Sequence, residues 1–158
     1  MTIQTSYLRS VYETKLFQKT VDKAIQEADA LLQKYQFDTV AFTGTSGAAM
    51  AYILAYKLNL QLLCVRKKTD GSHFHKSYPF SDRGWVCEGN LGSKRYLIVD
   101  DFITSGGTIN YIVDSIQKEA PFAQCVSMLM YAQQTARHFS HPSWTDPVEV
   151  TSFYIDGE

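Results

Sequence analysis

The segment Arg95 to Thr108, RYLIVDDFITSGGT, is the feature that most constrains the fold of this chain. The consecutive apolar residues Tyr96 to Val99 predict a strand that is buried on both faces. Two acids follow, and a small polar turn then leads into a helical pattern. A strand that passes through a glycine turn into a helix is typical of α/β sheets, where ligands bind at the carboxyl ends of strands.

The rest of the chain alternates between helical and strand-like patterns. Apolar residues spaced by three and four over residues 7–35 predict a long amphipathic helix, or two helices separated by one break. The pattern then predicts strands at 39–42, 60–65 and 122–131 and helices at 48–58 and 108–119. This order predicts one α/β domain over residues 1–158, with a mostly parallel central sheet and helices on both faces.

Two segments do not fit the regular alternation. Residues 69–94 are long for a connection and rich in polar residues, so we expect a flexible or functional loop, with a hairpin at 74–85 as the alternative. The tail contains the β-like stretch 148–154, which predicts a small terminal hood or a short edge strand.

Composition excludes several classes of function. The net charge of -1 offers no global attraction for nucleic acid or for an anionic membrane, so any anion site must be local. No stretch has the roughly 18 apolar residues of a membrane span, and we expect a cytoplasmic protein. The cysteines lack metal or redox spacing, and Cys64 and Cys125 fall in strand-like runs that predict buried thiols.

The chemistry of the central motif divides into two halves. Gly106 and Gly107 allow close approach of a phosphate to the helix amides, while Thr104, Ser105 and Thr108 add hydroxyl donors. Asp100 and Asp101 suit the vicinal hydroxyls of a sugar, bound directly or through a divalent cation. The alternative is that the acids only cap the turn, but capping does not explain both halves together.

Residues 96–108 resemble the phosphoribosyl pyrophosphate motif of the type I phosphoribosyltransferase family: a hydrophobic strand, two acids, two hydrophobic residues and a small-residue glycine turn. The resemblance covers about residues 38–131. It implies that Asp100 and Asp101 bind the ribose hydroxyls, and Mg²⁺ through the ribose or water, and that residues 104–108 hold the 5′-phosphate. It also implies Mg²⁺ as the cofactor and a homodimer.

Two further segments resemble the family in their order along the chain. The turn Thr43 to Gly47 follows the first strand, where the family has its pyrophosphate loop, which makes Thr45, Ser46 and Gly47 candidate ligands. An ordinary strand-to-helix turn is the alternative. Arg66, Lys67 and Lys68 end the next strand, where cations would stabilise a departing pyrophosphate, although a solvated basic turn has the same composition. His73, in the loop that follows, is a further candidate for catalysis.

The resemblance implies transfer of a phosphoribosyl group to a nitrogenous base, with release of pyrophosphate. Thr104 stands where hypoxanthine-guanine members have an aspartate, and the loop with the catalytic glutamate of adenine members is missing after Lys68. Orotate or another nucleobase is therefore the expected acceptor. One alternative is a regulatory protein of the same fold that senses phosphoribosyl pyrophosphate or nucleotides without turnover. The other is a convergent α/β enzyme, such as a phosphatase or a nucleotide-sugar binder.

Overall fold

The computed structural model describes residues 9–67 and 85–156. Its centre is a seven-stranded sheet with the order β3-β2-β1-β4-β5-β7-β6. The strands are β1 Thr39–Phe42, β2 Gln61–Val65, β3 Cys87–Gly89, β4 Arg95–Asp100, β5 Gln124–Met130, β6 His138–Phe139 and β7 Val148–Ser152. The strands β2, β1, β4, β5 and β7 run parallel, while β3 and β6 are antiparallel additions at the two edges.

Helices cover both faces of the sheet, as the alternation predicts. They are α1 Arg9–Tyr12, α2 Thr14–Tyr35, α3 Gly44–Leu58 and α4 Gly107–Glu119. Buried residues of α2 and α3 form one core with the strands, and buried residues of α4 form a second core on the opposite face. The interruption at Glu13 confirms the option of one break in the N-terminal helix.

The central strand β4 explains why the sheet has two cores. It lies between β1 and β5, with Tyr96 to Asp100 all buried. Its side chains alternate, so that Leu97 and Val99 pack on the α2 and α3 side while Tyr96 and Ile98 pack on the α4 side. This burial on both faces fixes the strand whose carboxyl end carries Asp100.

Three local predictions differ from the structure. Helix α3 begins at Gly44 rather than at residue 48, so the turn predicted after β1 forms the first helical turn. The tail strand β7 is not an edge strand, because β6 pairs on its outer side. Residues 87–89 form β3 rather than loop, while the predicted hairpin at 74–85 lies almost wholly outside the described residues.

All three cysteines are free thiols; Cys87 and Cys125 are buried, and Cys64 is partly buried. Burial raises the pKa of the Cys125 thiol far above its usual range, which keeps this group protonated. Within residues 9–67 and 85–156, none of the helices combines the length and the apolar character needed to cross a membrane.

Candidate functional site

Hydrogen bonds join the carboxyl ends of β1 and β2 and link α4 to the end of β2. The hydroxyl of Thr43, after β1, donates to the carbonyl oxygen of Val65 at the end of β2, with an oxygen to oxygen distance of 2.5 Å. The hydroxyl of Tyr111 on α4 donates to the carbonyl oxygen of Arg66 at 2.7 Å. These bonds bring the predicted segments 43–47, 66–67 and 100–108 to one edge of the sheet.

The glycine turn sits at the amino end of α4, as the sequence predicts. Thr104, Ser105, Gly107 and Thr108 are exposed, and the amide of Gly107 donates to Oγ of Ser105 at 3.3 Å. Gly106 is the N-cap, with a φ of 82° in the left-handed region, and it has no side chain with which to cap the helix. The amino end of α4 therefore presents its amides to an anion.

A second reason for glycine at position 106 is an aromatic neighbour. A Cβ atom at Gly106 would lie 3.0 Å from Cε2 of Phe139 on β6. The Phe139 ring makes an edge contact with Trp144, with 6.2 Å between the ring centroids. Phe139 therefore packs directly against the glycine turn.

His141 fastens the segment after β6 to α4. It is 6% exposed, and its Nε2 lies 2.6 Å from Oδ1 of Asp114, a residue of α4. The amide of Ser143 donates to Nδ1 at 3.0 Å, which assigns the ring hydrogen to Nε2. These two hydrogen bonds of His141 hold residues 139–144 beside α4, the helix that follows the glycine turn.

The two acids at the end of β4 are both buried. Asp100 is 5% exposed and Asp101 is 8% exposed. Oδ1 of Asp100 accepts from the amide of Asp101 at 2.9 Å, and Oδ1 of Asp101 accepts from the amide of Phe102 at 2.7 Å. Burial, with the neighbouring Asp101 charge as the second cause, raises the pKa of Asp100 to about 7. Two buried carboxyl groups side by side favour a positively charged or hydroxyl-bearing ligand.

The turn after β1 lies against this acid pair. Thr45 is exposed and Ser46 is half-buried, with Oγ of Ser46 3.4 Å from Oδ1 of Asp100. Gly47 is buried, and a Cβ atom there would lie 3.1 Å from Cβ of Phe42 and 3.4 Å from the carbonyl oxygen of Val99. The close approach of α3 to β4 explains this glycine and places the amino end of a second helix at the site.

The basic segment at the end of β2 is only partly described. Nε of Arg66 lies 2.8 Å from Oε2 of Glu88 on β3, so Arg66 forms an ion pair across the strand ends. Lys67 is exposed. Lys68 and His73 lie outside the described residues, and their proposed roles stay predictions.

The structure adds residues that the sequence motifs do not indicate. The buried Tyr131, after β5, donates its hydroxyl hydrogen to the carbonyl oxygen of Ser46 and links β5 to the amino end of α3. Glu119 at the end of α4 accepts from the amides of Val86 and Cys87 at 2.9 and 3.0 Å. These residues come from segments far apart in the sequence, and no local spacing marks them.

The donor set of the acid pair fits Mg²⁺. Carboxylate oxygens are hard ligands, and Mg²⁺ in phosphate-transfer sites typically takes one or two carboxylates together with substrate oxygens and water. Among residues 9–67 and 85–156, no group of three or more His, Cys, Asp or Glu side chains forms a metal cage. Asp100 and Asp101 would therefore hold the ion together with a bound sugar phosphate.

The fold and the site define an α/β protein that carries a buried acid pair and a glycine turn at the carboxyl ends of its parallel strands. The model of the phosphoribosyl transferase domain matches residues 8–149. Because this match covers most of the chain, the chain belongs to that family. The resemblance in residues 96–108 is thereby confirmed.

Relatives of two kinds share parts of the sequence. The chain is 29% identical over 122 residues to the probable purine biosynthesis transcriptional regulator PurR of Streptococcus pneumoniae, covering 71% of this chain and 43% of the regulator. It is 34% identical over 83 residues to the orotate phosphoribosyltransferase of Rhizobium rhizogenes, covering 52% of this chain and 32% of that enzyme. The chain thus spans less than half the length of either relative.

Solved structures of adenine and orotate phosphoribosyltransferases share the fold. One is the orotate phosphoribosyltransferase of Mycobacterium tuberculosis in complex with 5-phospho-α-D-ribosyl 1-diphosphate. The TM-score is 0.55 at 14% identity, with 80% of this chain and 65% of that chain covered. These structures confirm the mostly parallel α/β fold.

Proposed function

We propose that this protein binds phosphoribosyl pyrophosphate and transfers its phosphoribosyl group to a nitrogenous base. The observation that carries the proposal is the sequence of groups along β4 and α4. A buried acid pair, Asp100 and Asp101, is followed at once by an exposed glycine turn at a helix amino end. The acid pair would bind the hydroxyls of a ribose, and the glycine turn at residues 104–108 would bind its 5′-phosphate.

Each neighbouring segment then has a role. The amino end of α3, with Thr45 and Ser46, offers amides and hydroxyls to the pyrophosphate. Arg66 and Lys67 at the end of β2 supply positive charge on the same side, as do Lys68 and His73 in our proposal. Bound Mg²⁺ would supply charge neutralisation for the pyrophosphate oxygens.

The reaction needs positioning more than it needs proton transfer. A ring nitrogen of the base forms a bond to the anomeric carbon while the bond from that carbon to pyrophosphate breaks. The electron pair leaves with the pyrophosphate, and the proton of the ring nitrogen passes to the pyrophosphate or to water. Asp100 and Asp101 would fix the ribose, and the two helix amino ends would fix the phosphates on either side. Exclusion of water by residues 69–90 is part of the same proposal, and most of these residues lie outside the described part of the chain.

A regulatory protein without turnover is the second candidate. The similarity to the pneumococcal regulator supports it, because that alignment covers more of this chain than the alignment with the orotate enzyme does. Such a protein would use the same ribose phosphate site for sensing. Both candidates predict binding of phosphoribosyl pyrophosphate, and only the first predicts release of pyrophosphate.

One experiment separates the candidates. Purified protein is incubated with phosphoribosyl pyrophosphate and Mg²⁺ against orotate, uracil, adenine, guanine, hypoxanthine, xanthine and nicotinate, and pyrophosphate release and thermal stabilisation are measured together. Release that depends on a base supports the transferase. Stabilisation without release for any base supports the regulator, and the absence of both signals contradicts the assigned site.

The acid pair gives a sharper test of the ribose position. Asp101→Asn removes a charged acceptor, so we expect affinity for phosphoribosyl pyrophosphate to fall by roughly 1.5–3 kcal/mol in titration calorimetry with Mg²⁺. Asp29→Asn, at an exposed position on α2, is the matched control and should leave the affinity unchanged. Equal affinities for Asp101→Asn and the wild type would contradict the ribose contact.

A further inference from the structure

A small pocket lies directly beside the phosphate turn. Its volume is about 190 Å³, and its walls are Ile103 and Thr104 on one side and residues 133–136, 138 and 139 on the other. Because Thr104 belongs both to this pocket and to the turn, a molecule in the pocket would lie next to a phosphate bound on that turn. The volume lies below the roughly 300 Å³ at which pockets for drug-sized ligands begin, so the pocket suits one small ring system.

The lining combines apolar surface with amide groups. Ile103 and the ring of Phe139 are partly buried and supply flat apolar walls. Gln133 and Gln134 are exposed, and each carries an amide donor and an amide acceptor side by side. A glutamine amide pairs with two adjacent edge groups of a heteroaromatic base, as glutamine does with adenine in DNA recognition.

The charge of the lining is the second observation. Of the described residues around this pocket, none is Lys, Arg, Asp or Glu, and His138 is the one titratable side chain. Arg137 and Lys34 line a neighbouring pocket of about 690 Å³ together with Glu149, and that pocket shares Gln134, Thr135 and His138 with this one. A carboxylate bound beside Gln133 would therefore gain no cation from the residues that line the smaller pocket.

We propose that this pocket receives the acceptor of the transfer reaction, and that the acceptor is an uncharged heteroaromatic base with an amide-type edge rather than a base that bears a carboxylate. The inference rests on the proposed function, and it adds the chemical class of the second substrate. Phe139 packs on one face of the ring, and the amide of Gln133 reads its edge.

Uracil and orotate form a matched pair, because orotate is uracil with one added carboxylate. The values of kcat/KM from pyrophosphate release are compared for uracil and orotate, and for adenine and hypoxanthine against nicotinate. We expect the best uncharged base to exceed both carboxylate bases by at least about tenfold. Equal or faster reaction with orotate or nicotinate overturns the inference.

Two variants of Gln133 test the contact itself. Gln133→Leu should lower kcat/KM for the preferred base by about tenfold, since it removes both amide groups, while the Kd of phosphoribosyl pyrophosphate stays unchanged. Gln133→Arg should raise the relative rate with orotate, because it supplies the missing cation. Gln33→Leu, at an exposed position on α2, is the control. Unchanged base preference in both variants overturns the assignment.

The outcome also distinguishes this inference from the function on which it rests. If no base releases pyrophosphate, the proposed transfer is refuted, and the pocket is then tested by equilibrium dialysis of uracil, adenine, hypoxanthine and orotate in the presence of ribose 5-phosphate. Uracil binding that Gln133→Leu weakens supports the pocket and its preference for uncharged bases. Tighter binding of orotate, or no binding of uracil, adenine or hypoxanthine, overturns them.

Discussion

Asp100→Asn should stabilise the unliganded protein at pH 8 even though it removes a proposed binding group. Asp100 is buried beside Asp101, and burial raises its pKa from 3.8 to about 7. The asparagine keeps an acceptor oxygen for the amide of Asp101 but carries no charge. Folding of the variant therefore avoids the transfer of a second carboxylate charge into this buried position.

The pH dependence follows from the direction of the shift. Well below pH 3.8 the carboxyl is protonated in both the folded and the unfolded chain, and burial of Asp100 then costs the folded state no charge. Between 3.8 and about 7 only the unfolded chain ionises, so stability falls as pH rises, and above about 7 the loss is complete. A shift of three units corresponds to about 4 kcal/mol. Because the neighbouring carboxyls titrate together, we expect a gain on the order of 2–4 kcal/mol for Asp100→Asn at pH 8.

Urea denaturation at pH 5 and pH 8, without Mg²⁺ or phosphate, measures this difference. The stabilisation by Asp100→Asn should be clearly larger at pH 8 than at pH 5. Asp29→Asn on the exposed side of α2 controls for the change in net charge, and it should leave the free energy of unfolding unchanged at both pH values. An equal effect of Asp100→Asn at both pH values, or destabilisation at pH 8, would refute the reasoning.

Two further predictions concern the packing around the phosphate turn. Gly106→Ala should lower the free energy of unfolding by about 1–2 kcal/mol, because alanine is strained at a φ of 82° and its Cβ would press on Phe139. Gly107→Ala is the control, since its Cβ would meet Oγ of Ser105 at an ordinary 3.5 Å, and it should lower the free energy of unfolding by less in the same urea titration. His141→Ala should lower the free energy of unfolding by about 1–3 kcal/mol, because it removes two partly buried hydrogen bonds of a buried ring. His138→Ala, at an exposed position, should change it little, and equal effects of the two variants would contradict the structural role of His141.

The sequence predicts the centre of the fold well, because local patterns decide it. The apolar run at Tyr96 to Val99 predicts burial on both faces, and the acids and glycines after it indicate the point where the strand ends and a helix begins. The same pattern places Ser46 and Gly47 at the carboxyl end of β1, which neighbours β4. The two turns lie close together because parallel strands end at one edge of the sheet.

The parts that the sequence does not predict depend on contacts between distant segments. The ion pair of Arg66 with Glu88 joins residues 22 positions apart across β2 and β3. Phe139 reaches Gly106 because β6 pairs with β7, and a strand of two residues carries no periodicity. The sequence does not predict the early start of α3 at Gly44, because glycine and threonine indicate a turn more strongly than a helix.

The order of strands also has a consequence for synthesis of the chain. Strand β6 precedes β7 in the sequence but contacts the sheet only through it, since β7 lies between β5 and β6. A nascent chain that has reached residue 140 can form β4, β5 and the glycine turn, yet β6 has no neighbouring strand until residues 148–152 emerge. The wall that contains Phe139 is thus completed last, and the chain acquires its small pocket only after the glycine turn beside it.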